Sequence, residues 1–173
     1  MISHWLGFKR PQAAATLKAI YIAGAAGEPM QVAESIEAVE GRGLQGDRYS
    51  ADAGHWQSIE GCQVTLITEH ELRSAMHKTT TQIKTELETG GHRRNLVIAG
   101  LKTRQLEGKS FRIGGAVFRY DKPRPPCAYI DQVAGSGMGK ALSHNSGICI
   151  KVISSGRLAV GDTLTILDEA QAQ

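Results

Sequence analysis

Glycine interrupts this sequence so often that long helices have little room. The chain carries 20 glycines among 173 residues, and glycine-containing turns separate short runs of β-branched and aromatic residues along most of its length. Runs of this kind favour strands, whereas helices need longer periodic stretches. Many short strands with few long helices indicate a mainly β protein, either a barrel or a sandwich.

The strands can be placed from these runs. A hairpin is the clearest local signal, because Gly114 and Gly115 separate two β-patterned runs and supply the positive φ angles that a tight turn needs. Its strands are predicted at residues 110–113 and 116–120. Further strands are predicted at residues 17–23, 32–41, 63–67, 95–99, 148–153 and 163–167.

One helix is predicted directly after the strand at residues 63–67. Thr68 and Glu71 have the spacing of a capping box, in which each side chain bonds the other residue's backbone N–H. Leu72 and Met76 then recur at helical spacing. His70 and Glu71 resemble the start of a zinc-protease helix, but Ser74 stands where the second histidine would fall, so that function is excluded.

The overall composition limits the classes of function. With 41% hydrophobic residues in 173, the chain can close one core, and we expect a single domain. The net charge of +3 is spread without a basic block, which argues against nucleic acid but suits a local anionic ligand. No apolar run reaches the ~20 residues of a membrane span, and no signal peptide is recognised. We therefore expect a cytoplasmic protein without membrane association.

The three cysteines differ in their surroundings. Their odd number matches neither a disulfide framework nor a paired zinc knuckle, so at least one thiol should be free. Cys62 and Cys149 lie in or beside strand patterns and fit inert buried thiols. Cys127 ends the segment KPRPPC, whose three prolines should take the chain out of the sheet. Lys122 and Arg124 lie near it in sequence, and cations stabilise the reactive thiolate form.

Two arginine-containing segments are candidate binding elements. In residues 41–49 (GRGLQGDRY), Asp47 can pair with a buried arginine, which favours a structural turn. In residues 92–95 (HRRN), two guanidinium groups and an amide could bind a phosphate. Adjacent strand residues point to opposite faces, so we expect only one of the two arginines to face a given pocket. Arg94 is the preferred candidate, with Asn95 in support.

Other polar features carry less information. Residues 135–140 (GSGMGK) lack the spacing of a phosphate-binding loop and are interpreted as a flexible turn. The remaining candidate histidines are expected to be solvated loop residues, and none is assigned to metal. They are His55, His92 and His144.

Taken in order, these segments resemble the MOSC family, named for the C-terminal domain of molybdenum cofactor sulfurases. The similarity extends from about Leu17 to Leu167, which makes residues 1–16 an N-terminal extension, 17–167 the domain and 168–173 a polar tail. Its parts are residues 43–49 (GLQGDRY), 63–67 (QVTLI), 93–97 (RRNLV), 106–114 (LEGKSFRIG), 125–127 (PPC) and 161–162 (GD).

The resemblance implies a closed, strand-rich β-barrel with a few short helices, as in MOSC and pyruvate-kinase-like barrels. It also implies that Cys127 is the functional cysteine. Asp47, Arg48, Arg93 and Arg94 thereby become candidate cofactor-binding residues. One departure is that Arg124 stands where many bacterial relatives carry a second cysteine, so a two-cysteine relay is not expected.

Two functions follow from this resemblance. In the first, a separate pyridoxal-phosphate cysteine desulfurase delivers sulfur to Cys127, which carries it as a persulfide. In the second, Cys127 ligates the metal of a molybdenum cofactor that reduces N-hydroxylated compounds with an external electron donor. Arg94, Asn95 and either Ser154 or Arg157 would then hold the pterin and its phosphate. A third reading, a non-catalytic binding module, leaves the proline-framed cysteine unexplained.

Overall fold

The computed structural model describes residues 14–52, 54, 61–77 and 79–171. Most of the predicted N-terminal extension, together with His55 and the last two residues of the predicted tail, lies outside the described residues. The first strand begins at Ala15, two residues before the predicted start of the domain. No helix in the described part of the chain is long and apolar enough to cross a membrane.

Eleven strands and four short helices make up the described chain. The strands are β1 (Ala15–Ile22), β2 (Gln31–Ala33), β3 (Ser35–Val39), β4 (Gly43–Leu44), β5 (Val64–Thr68), β6 (Leu96–Ala99), β7 (Ser110–Ile113), β8 (Ala116–Pro123), β9 (Ile148–Ser154), β10 (Gly156–Ala159) and β11 (Thr163–Ile166). The helices are α1 (Glu69–His77), α2 (Thr81–Glu88), α3 (Ala128–Ala134) and α4 (Met138–Leu142), and 3-10 turns cover Thr103–Leu106 and Glu169–Gln171.

Seven strands close into a barrel, which confirms the predicted fold class. The order is β11-β7-β8-β9-β5-β6-β1, and β1 pairs again with β11 to complete the circle. The closing register sets Ala15 opposite Leu164 and Thr16 opposite Thr163. Neighbouring strands are antiparallel except β5 and β6, whose parallel pairing needs the crossover that α1 and α2 supply.

A second, three-stranded sheet stands beside the barrel in the order β10-β3-β4. The prediction of one continuous strand over residues 32–41 was therefore wrong. Its first part, β2, pairs with β1 of the barrel, and its second part, β3, pairs with β10. The chain changes sheets at Glu34, a change that polar and apolar alternation does not reveal.

Turn and cap chemistry fix the local boundaries as predicted. The β7–β8 hairpin turns at Gly114, which has a φ of 54° that favours glycine. Thr68 and Glu71 form the capping box at the start of α1, because each backbone N–H donates to the other residue's side chain. Strand β8 continues as far as Pro123, which pairs with Ile148. It therefore ends three residues after the predicted end at Tyr120, and the first of the three prolines still lies in the sheet.

Two apolar cores hold these layers together. The first fills the barrel, where the stacked rings of Phe111 and Phe118 lie 6.0 Å apart between their centroids and are fully buried. The second lies between the helices and the outer faces of β5 and β6, where Ile67 and Val97 meet the apolar sides of the helices. Strands β5 and β6 are thus buried on both faces, which keeps the residues that precede β6 in fixed positions.

Candidate functional site

A small cavity forms where the loop after β4, the segment before β6 and the loop after β8 meet. Its space of about 40 Å³ exceeds what one water molecule needs but is far below a cavity for a drug-sized ligand. No carboxylate is among the described residues that line it. They are Ala26, Arg48, Tyr49, Arg93, Arg94, Arg124, Pro125, Pro126, Cys127, Tyr129 and Ile130.

Asp47 fixes the first of these loops. Its fully buried carboxylate accepts hydrogen bonds from the backbone N–H groups of Ala23 and Tyr49, at 3.1 and 3.2 Å. Arg48 Nη1 donates to the same carboxylate at 3.0 Å. Asp47 therefore joins the end of β1 to this turn, as the predicted internal ion pair requires, and it does not line the cavity.

Arg48 connects this turn to the segment before β6. Its Nη2 donates to the carbonyl oxygen of Arg93 at 3.0 Å, and its guanidinium carbon lies 4.5 Å from the ring centroid of Tyr49. Cation and ring attract each other at this separation. Arg48, a predicted candidate, thus lies at the cavity wall and contacts both Arg93 and Tyr49.

Arg93 and Arg94 both line the cavity, so the prediction that only one of them would face it was wrong. Arg93 has a φ of 57°, which is left-handed rather than extended backbone. The alternation of side chains along a strand does not apply there, and β6 begins only at Leu96. Both residues can therefore border the same space.

The bonding of these two arginines differs. Arg94 donates from Nε to the carbonyl oxygen of Ser146 at 2.7 Å, from Nη2 to Ser146 Oγ at 2.6 Å and from Nη1 to the carbonyl oxygen of His92 at 3.1 Å. Arg93 Nη1 donates to the carbonyl oxygen of Glu28 at 2.7 Å. Its Nη2 is buried and has no hydrogen-bond partner among the described residues. Arg93 therefore offers an open donor, whereas Arg94 is largely held by the protein.

Cys127 enters the cavity from the loop that follows β8. Arg124 begins this loop and is held by its backbone N–H, which donates to the carbonyl oxygen of Gly147 at 2.9 Å. Pro125 and Pro126 then line the cavity, and Cys127 is half-buried with a free thiol. Its carbonyl oxygen accepts from the N–H of Ile130 at 3.0 Å, which anchors the cysteine to the start of α3.

The other two cysteines form a disulfide, Cys62–Cys149, with their Cα atoms 5.7 Å apart. The prediction that they are separate buried thiols was wrong. Neither cysteine spacing nor strand pattern reveals that β9, which pairs Cys149 with Thr65 of β5, brings Cys149 within bonding distance of Cys62. Tyr49 packs against this disulfide, so it lies behind one wall of the cavity.

The arginines change the acidity of the groups between them. Burial would raise the pKa of Tyr49, but the charges of Arg48, Arg124 and Arg94 outweigh it and lower the pKa below its ordinary value. Burial lowers the pKa of Arg94 to about 10, although the charges of Tyr49 and Cys127 act to raise it. The cavity is thus a place where an anion is stabilised by converging positive charge.

Three further predicted residues are not brought to this cavity. Asn95 is fully buried and bonded to Thr65 and to the carbonyl oxygen of Tyr21, so it ties β6 to β5 and β1. Ser154 is exposed at the end of β9 in the barrel. Arg157 is exposed in β10 of the second sheet, where its Nη2 donates to Ser35 Oγ at 2.6 Å. None of the three lines the cavity.

His92 was expected to be a solvated loop residue, and this expectation was wrong. Its ring is fully buried and stands edge-on to Tyr21, with 5.3 Å between the ring centroids. Nδ1 accepts from the backbone N–H of Arg94 at 3.0 Å. Burial and the charge of Arg94 lower the pKa of His92 to about 3. The neutral imidazole thus supports the arginine from behind the cavity.

Two residues that form or support the cavity were not predicted from the sequence. Tyr129 follows Cys127 by two positions and lines the cavity, and its place in α3 could have been found from the helical spacing. Ser146 had no local signal, since its role depends on a contact with Arg94 across 52 positions.

The fold and the site together define a class of protein: a small closed β-barrel that presents one free thiol among arginines. The chain belongs to the MOSC family. The model of that family, described as the MOSC domain, matches residues 54–165, which confirms the resemblance seen in the sequence. No curated protein sequence matches the chain.

Solved structures share the fold at low sequence identity. The YuaD protein from Bacillus subtilis has a TM-score of 0.67 at 15% identity, over 87% of this chain and 94% of that one. YiiM from Geobacillus stearothermophilus has a TM-score of 0.59 at 15% identity, over 89% of this chain and 75% of that one. YiiM from Escherichia coli has a TM-score of 0.58 at 19% identity, over 89% and 70%.

Proposed function

We propose that this MOSC protein carries sulfur as a persulfide on Cys127. The observation that supports this function is the position of the free Cys127 thiol in a cavity with four arginines. A persulfide is an anion that adds one atom to the cysteine. It therefore needs little space and benefits from nearby guanidinium groups.

The loading step is a thiol exchange between two proteins. The Cys127 thiolate attacks the terminal sulfur of a persulfide on a pyridoxal-phosphate cysteine desulfurase. A sulfur–sulfur bond forms at Cys127, the sulfur–sulfur bond of the desulfurase breaks, and the partner's cysteine leaves as a thiolate. No external oxidant or reductant is needed. Arg93, which has a donor unused by the described residues, and the neighbouring arginines stabilise the anionic terminal sulfur that results.

Molybdenum-cofactor binding is the second candidate, favoured by the four arginines and the absence of carboxylates among the described lining residues. Guanidinium groups suit the cofactor's phosphate, and the Cys127 thiolate is a soft ligand that suits molybdenum. A cavity of about 40 Å³ admits a phosphate but does not enclose a pterin ring system. When bound, the cofactor would supply the redox chemistry for reducing N-hydroxylated compounds with electrons from an external donor.

One experiment separates these functions. The purified chain is incubated with a cysteine desulfurase and cysteine, and peptide mass spectrometry is used to locate added sulfur, with Cys127→Ser as the control. Molybdenum and pterin fluorescence are measured on protein from molybdate-fed cells. Sulfur on Cys127 supports the carrier. Bound molybdenum and pterin without sulfur on Cys127 support the molybdenum-cofactor function instead. If neither sulfur nor cofactor is found, the non-catalytic binding module remains.

A further inference from the structure

Arg93 has one hydrogen-bond donor that the protein does not use. The side chain is only 8% exposed, and Nη2 is buried without a partner among the described residues, while Nη1 is held by the carbonyl oxygen of Glu28. A buried donor without an acceptor is costly, and a charged one more so. Arg93 lines the same cavity as Cys127, so a ligand there that brings an acceptor atom within hydrogen-bond distance of Nη2 would remove the cost.

The surroundings limit what that ligand can be. Arg48, Arg94 and Arg124 contribute further positive charge, and no carboxylate is among the described lining residues. The ligand should therefore be an anion with several oxygen acceptors. The space of about 40 Å³ restricts the enclosed part to a few heavy atoms. A sulfur or phosphorus oxyanion has this size and charge.

The position of Cys127 decides between these oxyanions. A thiolate can react with an oxyanion that carries a transferable sulfur, whereas it has no comparable reaction with phosphate or sulfate. Thiosulfate combines a terminal sulfur with a sulfonate group whose three oxygens can accept bonds from guanidinium groups. We propose that the cavity accepts thiosulfate as a direct sulfur donor to Cys127, with Arg93 Nη2 binding the sulfonate end. This rests on the proposed function, in which Cys127 carries a persulfide.

The reaction balances without a further reactant. The Cys127 thiolate attacks the terminal sulfur of thiosulfate, a new sulfur–sulfur bond forms at the cysteine, and the sulfur–sulfur bond of thiosulfate breaks. Sulfite leaves with the bonding electron pair, and Cys127 remains as a persulfide anion. Charge develops on the departing sulfite, where the guanidinium groups converge, so they stabilise the leaving group.

The test compares sulfur loading of Cys127 by two small-molecule donors and by a cysteine desulfurase. The chain, free of added reductant, is mixed with excess thiosulfate, and released sulfite and the sulfur on Cys127 are measured over time. Methanethiosulfonate is the matched donor, since it carries the same terminal sulfur and one negative charge fewer. Loading by a cysteine desulfurase is measured in parallel. The variants are Cys127→Ser, Arg93→Ala, Arg93→Lys and, as a control away from the cavity, Arg157→Ala.

The expected result is sulfite release matched by sulfur on Cys127, absent from Cys127→Ser and unchanged in Arg157→Ala. Loss of a charge-assisted hydrogen bond should lower the thiosulfate rate of Arg93→Ala by at least about tenfold relative to its loading by the desulfurase. The ratio of the thiosulfate rate to the methanethiosulfonate rate should also be lower in Arg93→Ala than in wild type. Arg93→Lys should recover part of the rate because it keeps the charge but not the planar fork.

Other outcomes overturn one proposal or both. Desulfurase loading without any reaction with thiosulfate rejects the thiosulfate inference and leaves the sulfur-carrier function standing. Reaction with thiosulfate that is equally fast in Arg93→Ala rejects the role of Arg93. If neither source places sulfur on Cys127 in a folded chain, both the inference and the sulfur-carrier function fail.

Discussion

Ser146 accepts two hydrogen bonds from the same guanidinium group, since Arg94 Nε donates to its carbonyl oxygen and Arg94 Nη2 to its Oγ. The two residues join the segment before β6 to the segment before β9, and both are buried. Arg94 therefore acts first as a part of the framework. Its neighbour Arg93 keeps an open donor, so the two adjacent arginines should respond differently to substitution.

Arg94→Ala should destabilise the fold more than Arg93→Ala. Two charge-assisted hydrogen bonds to Ser146 are lost, and at roughly 1.5 to 3 kcal/mol each the free energy of unfolding should fall by about 3 kcal/mol or more. Urea unfolding of both variants measures this difference. Ser146→Ala removes only the Oγ acceptor, so its free energy of unfolding should lie between those of wild type and Arg94→Ala. Equal stability of Arg94→Ala and wild type would show that Arg94 is free for a ligand instead.

Asp47→Ala should lower stability even though Asp47 does not line the cavity. The substitution removes the acceptor for two backbone N–H groups and leaves Arg48 as a buried charge without its partner. Breaking such a pair typically costs about 3 to 5 kcal/mol. Asp47→Asn keeps the shape and one acceptor oxygen, so it should be less damaging. Thermal melting of the three proteins tests this order, and unchanged melting of Asp47→Ala would reject the structural role.

Cys127 should be the one cysteine that alkylates in the native, unreduced protein. Its thiol is free and half-buried at the cavity, whereas Cys62 and Cys149 are joined and buried. Treatment with iodoacetamide followed by peptide mass spectrometry locates the label. Denaturation without a reductant should still leave Cys62 and Cys149 unlabelled, and a reductant should expose them. Label on Cys62 or Cys149 in the unreduced, denatured chain would contradict the disulfide.

Stability should decrease as the pH falls below about 6.5 because of His92. Its folded pKa of about 3 lies below the ordinary 6.5, so the unfolded chain binds the proton more readily between these values. The contribution of neutral His92 is therefore complete above pH 6.5 and is lost as the pH falls towards 3, by at most about 1.4 kcal/mol per pH unit. Denaturant unfolding across this range measures the slope.

A matched pair of variants isolates the histidine. His92→Asn keeps an acceptor near the backbone N–H of Arg94 but cannot titrate, so the slope of stability against pH should become shallower. His144 is exposed, and His144→Asn should leave the slope as it is in wild type. A slope that is identical in His92→Asn and wild type would assign the pH dependence to other groups.

Much of the fold followed from local chemistry. The glycine turn at Gly114 and the capping box of Thr68 and Glu71 act between near neighbours, so their residue types were sufficient to place a hairpin and a helix. The division of residues 32–41 between two sheets was not predictable in this way. It depends on pairing with β1 and β10, which lie far apart in the sequence.

The candidate site was also predictable only where local sequence chemistry was distinctive. Cys127 and the arginine segments could be selected from their sequence, because a proline-framed thiol and paired guanidinium groups are chemically distinctive. Which arginine is open depends on the left-handed backbone of Arg93 and on Ser146, which is 52 positions from Arg94. The pairing of Cys62 with Cys149 likewise spans 87 positions. Contacts at such separations carry no local sequence pattern.

The barrel is closed by β1 and β11, the first and last strands described, and this affects when the protein can become functional during synthesis. A ribosome adds roughly 5 to 20 residues per second, so the Ala15 end of β1 lacks its β11 partner for about 7 to 30 seconds, until Leu164 is made. Cys127 leaves the ribosome before that edge is covered. The four cavity arginines precede Cys127 and are already made, but the barrel that positions them is still open, so the new thiol is exposed to oxidants until β11 pairs with β1.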